Sequence, residues 1–326
     1  MDIGVIGFIG VIGFIMNKKI IVTGSLAFDY IMNFPGVFAD NIDPSKLHVM
    51  SVSFLAETLK KERGGTAGNI AYNLALLNSS PLLLATAGDD FSGYRKFLEQ
   101  AGVDVSGVQM IDGEATSMAM ILTDVKNNQI TAFHPGAMNQ ADSLSISKSM
   151  GDFCVIAPTK PEAMSRAVSE CKELKIPYLY DPGMQLPRLS DEDLISGILG
   201  AEILIANDYE MGLIESRVKS QESRKPKIII TTLGAEGSVI ESKGKKIKIE
   251  AAKPREVLDP TGAGDAYRAG FLAGFMRDLD LKTCGQLGSI ASCYTVEKYG
   301  TTNHTFTIEQ FSKSYRENFG EELKLG

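Results

Sequence analysis

Tryptophan is missing from this 326-residue chain, and histidine occurs only at His48, His134 and His304. These histidines are scattered at no zinc-ligand spacing, so a zinc centre is not expected. The four cysteines, Cys154, Cys171, Cys284 and Cys293, include no C-x-x-C pair. That disfavours a disulfide framework or a redox dithiol and fits reduced, mostly buried thiols of a cytoplasmic protein. Positive charge is in deficit, with 33 Lys+Arg against 40 Asp+Glu and a net charge of −7. Such a chain is a poor partner for nucleic acid or an acidic membrane, and a small-molecule partner is expected instead. An anionic ligand is still allowed, because glycine turns and helix ends bind phosphate without a basic surface. No Walker A loop occurs. The apolar run DIGVIGFIGVIGFI, residues 2–15, is short for a membrane span and has no basic leader. Residues 1–16 are therefore read as an extension outside the fold, with Met16 as an alternative start, and 17–326 as the folded domain.

Hydrophobic residues make up 44% of the chain, enough for one large core. Strand-like and helix-like segments alternate: KIIVTG (19–24), PLLLATAG, the helix FSGYRKFLEQAG stopped by Gly102, FCVIA (153–157), PEAMSRAVSECKELK, PYLYD, DEDLISGILG, EILIAND and IIITTLGAEG (228–237). This alternation predicts an α/β fold of three layers, α/β/α, around a mostly parallel sheet. Two stretches break the pattern. Residues 30–56, including Ser51–Leu55 as a strand, and residues 114–136, with a hairpin around Asn127-Asn128, predict a small antiparallel β lid. Its free edge could pair in a homodimer. The segment LKTCGQLGSIASCYTVEKYG reads as a helix ended at Gly300.

The chemistry concentrates in Asp259-Pro260-Thr261-Gly262-Ala263-Gly264-Asp265, which opens directly into a helix. Gly262 and Gly264 can take positive φ and crowd backbone N–H groups at a helix N-terminus, where an anion is favoured. Asp265 in the first turn would face that point. An anion cradle beside a carboxylate suits phosphoryl transfer to a hydroxyl. Taken alone, an Asp in a first turn is more often a cap. Two further stretches follow strands. Ser25 and Asp29 lie after the first, where α/β sheets bind ligands and a carboxylate can accept from two hydroxyls. Asn207 and Glu210 form a capping box.

The run Asp259–Phe271 resembles the C-terminal signature of the ribokinase-like (pfkB) sugar and nucleoside kinases. Arg63-Gly64-Gly65-Thr66-Ala67-Gly68-Asn69 resembles their N-terminal one, in the right order and roughly 200 residues earlier. Finer matches (TGSLAFDYIMNFPGVF, LHVMSVSFL, FHPGAM, NDYE) are most similar to bacterial-type adenosine kinases. The resemblance implies ATP with Mg²⁺, and a potassium ion as an optional third component. Asp265 is then the general base, with Gly262, Ala263 and Gly264 as the anion hole. Ser25, Asp29, Gly64, Gly65 and Asn69 would hold the ribose, and Ser53, Phe54, Phe133 and Gln185 the base. Thr232, Gly234, Gly237, Thr261 and Asn207 would line the ATP site, and Asn207 and Glu210 would steer magnesium partly through water. Thr301, Thr302 and Asn303 could touch the adenine pocket or a monovalent cation. One departure is Ala119, flanked by Met118 and Met120, where those kinases carry an aromatic residue. Methionine is adaptable, so a less discriminating base pocket is expected. The expected reaction is 5′-phosphorylation of a nucleoside, adenosine first, as in purine salvage. The alternatives are a ribose- or fructose-type sugar kinase, an inosine or cytidine kinase, and a non-catalytic binding regulator.

Overall fold

The computed structural model describes residues 18–42, 49, 51–126, 128–218 and 226–323. The apolar run at 2–15, residues 43–48 and 50 of the first lid stretch (30–56) and residue 127 of the expected hairpin turn lie outside them.

Lys19–Thr23 (β1) is a β-branched run and is buried on both faces. Its alternation sorts the core: Ile20 and Val22 point into one cluster and Ile21 into the other. The chain then builds a lid strand, Ala27–Asn33 (β2), and its neighbour, Thr58–Gly64 (β3). Next come Thr66–Leu76 (α1), Ser80–Leu84 (β4), Thr86–Ala87 (β5), Ser92–Ala101 (α2) and Gln109–Met110 (β6). Ser117–Thr123 (β7) and Gln129–His134 (β8) complete the lid. The second half alternates: Phe153–Ile156 (β9), Pro161–Leu174 (α3), Tyr178–Tyr180 (β10), Asp191–Gly200 (α4), Ile203–Asn207 (β11), Asp208–Val218 (α5) and Ile228–Thr232 (β12). The hairpin Ser238–Ser242 (β13) and Lys245–Ile249 (β14) follows, then Ala263–Phe275 (α6), Leu281–Val296 (α7) and Ile308–Phe319 (α8).

The main sheet has the order β14-β13-β12-β11-β10-β9-β1-β4, parallel from β4 to β12 with an antiparallel pair at the far edge. Helices α1, α2, α6, α7 and α8 cover one face, and α3, α4 and α5 the other. This is the expected three-layer α/β fold. β1 is paired with β4 on one side and β9 on the other, so the strand order reverses there. The crevice at the strands' C-terminal ends beside such a switch is where ligands bind. Ser25 after β1 and Pro158 after β9 meet there, the Ser25 N–H donating to the Pro158 carbonyl at 3.0 Å.

The lid has the order β3-β2-β7-β8, two antiparallel pairs joined by a parallel β2–β7 contact. Ser51–Leu55, expected as a strand, has no regular structure, and the strand starts at Thr58 instead. The alternation there serves a different end: Phe54 sits in an aromatic cluster, 4.9 Å from Phe34 and 5.2 Å from Phe38 between ring centres. The helix expected to run to Gly300 ends at Val296; Gly300 lies in the following loop with φ of 81°. Among the described residues no helix is long and apolar enough to cross a membrane. All four cysteines are free thiols, three of them buried.

Candidate active site

Helix α6 follows the irregular segment 250–262, which ends on a glycine. Gly262 takes φ of 81° and caps the helix without any side-chain hydrogen bond. The N–H groups of its first turn therefore have no side-chain cap, which leaves an anion-binding helix start. A methyl group at Gly262 would come 2.9 Å from the Thr301 Cβ, so the turn has no room for a side chain either. Gly264 does not have the positive φ expected for it. It is helical, and its small size serves Arg268, whose Nη1 would lie 2.9 Å from an added Cβ.

Asp265 projects from this turn into a cleft of about 780 Å³ that runs from the lid to the sheet edge. Asn69 of α1 donates to its Oδ2 at 2.8 Å. The single Thr301 O–H points between two acceptors, Asn69 Oδ1 at 2.7 Å and the Arg63 carbonyl at 2.8 Å. One N–H and one acceptor position of the Asn69 amide are thus engaged, and Asn69 ties Asp265 to the wall of the cleft that it also lines. Burial pushes the Asp265 carboxyl up to about 6, against the opposing pull of Arg268 and the Asn69 hydrogen bond. That places it where a general base works near neutrality.

Asp29 stands across the cleft on β2. Its carboxylate has no hydrogen-bond partner among the described residues. Burial, and then the negative charges of Asp259 and Glu62, push it up to about 6 as well. The glycine pair explains itself here. A Cβ at Gly64 would strike Asp29 Oδ2 at 2.7 Å, so its absence makes room for that carboxylate. Gly65 has φ of 89°, and a Cβ there would lie 2.6 Å from both the Ala27 nitrogen and the Ser25 oxygen. Those are backbone atoms at the root of the lid and cannot yield. Gly65→Ala is expected to lose roughly 2–4 kcal/mol of stability, from the strained φ and the overlap together. Turnover should fall with it; a thermal melt and an activity assay of the variant check this.

Ser25, Gly65, Asn69, Phe133, Gln185, Asn207, Glu210, Thr232, Gly234, Thr261, Gly262 and Gly264 all line the same cleft as Asp29 and Asp265. Phe133 is 46% exposed on the lid's cleft side, across β7 from Asp29. Gly237 and Ala263 line an adjoining, mainly apolar cavity of about 510 Å³, whose wall also includes Val257, Tyr267 and Val296. Thr232, Gly234 and Gly264 belong to both. Three expected residues do not line the cleft. Gly64 is buried against Asp29, Ser53 is exposed on the irregular segment, and Phe54 is held by Phe34 and Phe38. Thr301 lines the Asp265 cleft, not the apolar cavity. Thr302 is buried and Asn303 donates to Glu62, neither of them on that cavity. Ala119 faces the cleft, but Met118 and Met120 point to the lid's other side, as strand alternation requires. The methionines on the cleft wall are Met138 and Met184, and Ala119 leaves open space beside them.

Sequence reasoning missed Arg268 and Asp181. Arg268 follows Asp265 by one helical turn and is only 8% exposed. It forms an ion pair with Asp181 Oδ2 at 2.5 Å, beyond the end of β10. An arginine inside the otherwise apolar run of α6 was the visible signal. Arg188 also lines the cleft, three residues after Gln185. Gln185 is 5% exposed and its Oε1 has no partner.

Asn207 and Glu210 close a reciprocal cap: the Asn207 N–H donates to Glu210 Oε2 at 3.0 Å, and the Glu210 N–H to Asn207 Oδ1 at 2.8 Å. Burial holds the Glu210 carboxyl above its usual range. Among the described residues no cluster of three His, Cys, Asp or Glu forms a metal cage. One carboxylate at the cleft wall fits an ion held mainly by phosphate oxygens and water, as magnesium commonly is.

A family model described as pfkB family carbohydrate kinase matches residues 19–307. A nucleoside kinase of Methanothermobacter thermautotrophicus is 30% identical over 319 residues, covering 94% of this chain and 98% of that protein. The structure of Burkholderia thailandensis nucleoside kinase in complex with inosine superposes with a TM-score of 0.84 at 31% identity, covering 93% of this chain and 99% of that one. The nucleoside kinase of Methanocaldococcus jannaschii, described as an archaeal member of the ribokinase family, gives a TM-score of 0.84 at 31% identity over 92% and 98% of the two chains.

Proposed function

The chain belongs to the pfkB family of carbohydrate kinases and is a phosphotransferase acting on a hydroxyl group; from that premise we propose that it transfers the γ-phosphoryl group of ATP to the 5′-hydroxyl of a nucleoside. One observation carries this reading. Asp265 stands at an uncapped helix start, in one cleft with a second, unpartnered carboxylate, Asp29. Asp29 is placed to accept from the 2′- and 3′-hydroxyls of a ribose. Asp265 takes the 5′-hydroxyl proton on the oxygen that Asn69 leaves free. The N–H groups of Gly262 to Asp265 receive the transferring phosphoryl oxygens. Arg268, oriented by Asp181, adds positive charge beside them. The apolar cavity behind Gly264 suits adenine, and Glu210 would anchor magnesium through water, where the ion would offset phosphate charge. The lid then covers the site and limits loss of phosphate to water.

The cleft's volume, its exposed Phe133 and the unpartnered Gln185 Oε1 favour a substrate carrying a base over a free sugar. Adenosine is the first substrate of this reading. Inosine is the second, because Arg188 can only donate, and a 6-oxopurine offers it an acceptor. A panel of adenosine, inosine, cytidine, ribose and fructose, read by ATP consumption, tests this. At least one nucleoside should exceed both sugars in kcat/KM by about 10²-fold or more, the worth of a well-made polar and stacking contact set. Ribose or fructose leading the panel would replace the reading with a sugar kinase. Inactivity on all five would favour a binding regulator.

The pH profile follows from two carboxyls at about 6. Each must be ionised, Asp265 to take a proton and Asp29 to accept from the ribose. Raised values mean that protonated forms accumulate as pH falls through 6. The kcat/KM profile should be flat above about pH 7 and fall below 6 with a slope steeper than one, because two groups titrate together. A rate–pH series under saturating ATP checks it; a flat profile down to pH 5 contradicts it.

A further inference from the structure

A third cavity, of about 460 Å³, opens between α7, α8 and the segment after β14. It lies outside the cleft that holds Asp29 and Asp265. Its wall carries four cations, Lys253, Arg255, Lys298 and Lys313, against two carboxylates, Glu297 and Glu317. This positive spot stands on a chain of net charge −7. Lys313 pairs with Glu317 at 3.8 Å. The side chains of Lys253, Arg255 and Lys298 make no ion pair or hydrogen bond within the described residues. The floor is apolar, from Ile290 and Tyr294.

His304 completes the wall and is 2% exposed. Its hydrogen bonds fix its tautomer. Asn73 Nδ2 donates to the Asn69 carbonyl at 2.9 Å, which turns Asn73 Oδ1 toward His304 Nε2 at 2.8 Å. Nε2 must therefore carry the hydrogen, and burial keeps the ring neutral, its titration depressed to about 4. Nδ1 is left as a lone-pair acceptor with no donor. A buried acceptor without a donor is uncommon and calls for a ligand hydroxyl or a water.

We propose that this cavity is an effector site for a phosphate monoester bearing a free hydroxyl, of the sugar-phosphate kind. The phosphate sits among the unpaired cations, the hydroxyl is directed at the His304 side of the wall, and a ring covers Tyr294 and Ile290. A free sugar phosphate and a nucleoside monophosphate present the same chemistry. The site is coupled to catalysis by its wall. Lys253 and Cys293 line both this cavity and the apolar cavity beside Gly264. The Lys253 N–H is tied to Asn318 of α8 at 2.9 Å, and the neighbouring Ala252 N–H to Ser289 of α7 at 2.7 Å. An anion that draws the Lys253 ammonium into the effector cavity withdraws it from the nucleotide side. ATP affinity falls, and by reciprocity ATP weakens the effector.

The test compares the wild-type protein with K298E/K313E, both exposed positions away from the catalytic cleft. Calorimetric titration with ribose 5-phosphate and with inosine 5′-monophosphate measures binding without turnover, so the result does not depend on the substrate assignment. At least one ligand should bind the wild type and lose about tenfold or more in affinity in the variant. Loss for both ligands assigns the sugar phosphate as sufficient, and loss for the monophosphate alone assigns the nucleotide. In the wild type the bound ester should raise the KM for ATP to a plateau with kcat unchanged, and K298E/K313E should lack this response while keeping its basal rate. Equal affinity in both proteins, or no binding of either ester, overturns the proposal. If the double charge reversal impairs folding, K298Q/K313Q replaces it under the same criteria.

Discussion

Asp265→Asn should lower kcat by two decades or more and leave nucleoside and ATP binding nearly intact. The size follows from loss of a positioned general base, typically 10²–10⁴-fold. The substitution is close to isosteric, and the new Oδ1 can still accept from Asn69, whose bond to Asp265 measures 2.8 Å. The anion cradle is backbone and is not altered. Stability should move the other way. The folded-state pKa of Asp265 is raised to about 6, so the folded protein binds this proton more tightly than the unfolded chain does. The carboxyl's favourable contribution is present at low pH and is lost as pH rises through 6. At pH 8 the charged form is a burden that Asn removes, and the variant should gain roughly 1–2 kcal/mol, discounted for the relief that Arg268 already provides. A variant that is slower and melts higher is the expected result. One that is slower and melts lower would indicate damage to packing, and a near-wild-type kcat would remove Asp265 from its role.

Asp29→Ala should act on the substrate instead of on the chemical step. Asp29 makes no hydrogen bond with the described residues, so its removal strands no protein donor. The loss falls on two ribose hydroxyls, each hydrogen-bonded to a charged acceptor and worth about 1.5–3 kcal/mol. Non-additivity reduces the sum, and kcat/KM for the nucleoside should fall by about 10²–10³-fold, most of it in KM. The KM for ATP should stay within about twofold, since Asp29 is not part of the cavity beside Gly264. Release of a carboxyl pushed up to about 6 should also stabilise the unliganded protein at neutral pH. The 2′-deoxynucleoside offers an independent check: the wild type should discriminate against it, and Asp29→Ala should not.

The glycine turn, the parallel strands and most cleft residues were legible in sequence because each rests on a local rule. Gly262 needs positive φ at a helix start, and the main-sheet strands β1, β4, β9, β10, β11 and β12 carry apolar runs between helix periods. What escaped were arrangements that depend on partners far away in the chain. β3 reads TLKKERG, a charged stretch that resembles a loop; it is an edge strand, and charge at an edge prevents pairing with other chains. Phe54 lies on a segment that alternates like a strand, yet its ring is captured by Phe34 and Phe38. Asn69 reads in sequence as one more residue of the Arg63–Asn69 run. Only the fold shows that it is also held between Thr301 and Asp265. The Arg268–Asp181 pair spans 87 positions (268 − 181), and no local pattern joins them. Such a buried ion pair is costly to desolvate and strongly destabilising to break, which fits a group kept for the site and not for the core.

The most direct test of the central claim follows where the phosphoryl group goes. ATP labelled in its γ-phosphate should be incubated with the nucleoside that leads the substrate panel, and the product resolved by phosphorus NMR. The account predicts stoichiometric ADP and a single phosphate ester, on the 5′-oxygen, absent with Asp265→Asn. Release of inorganic phosphate without an ester, or an ester on another oxygen, would contradict it.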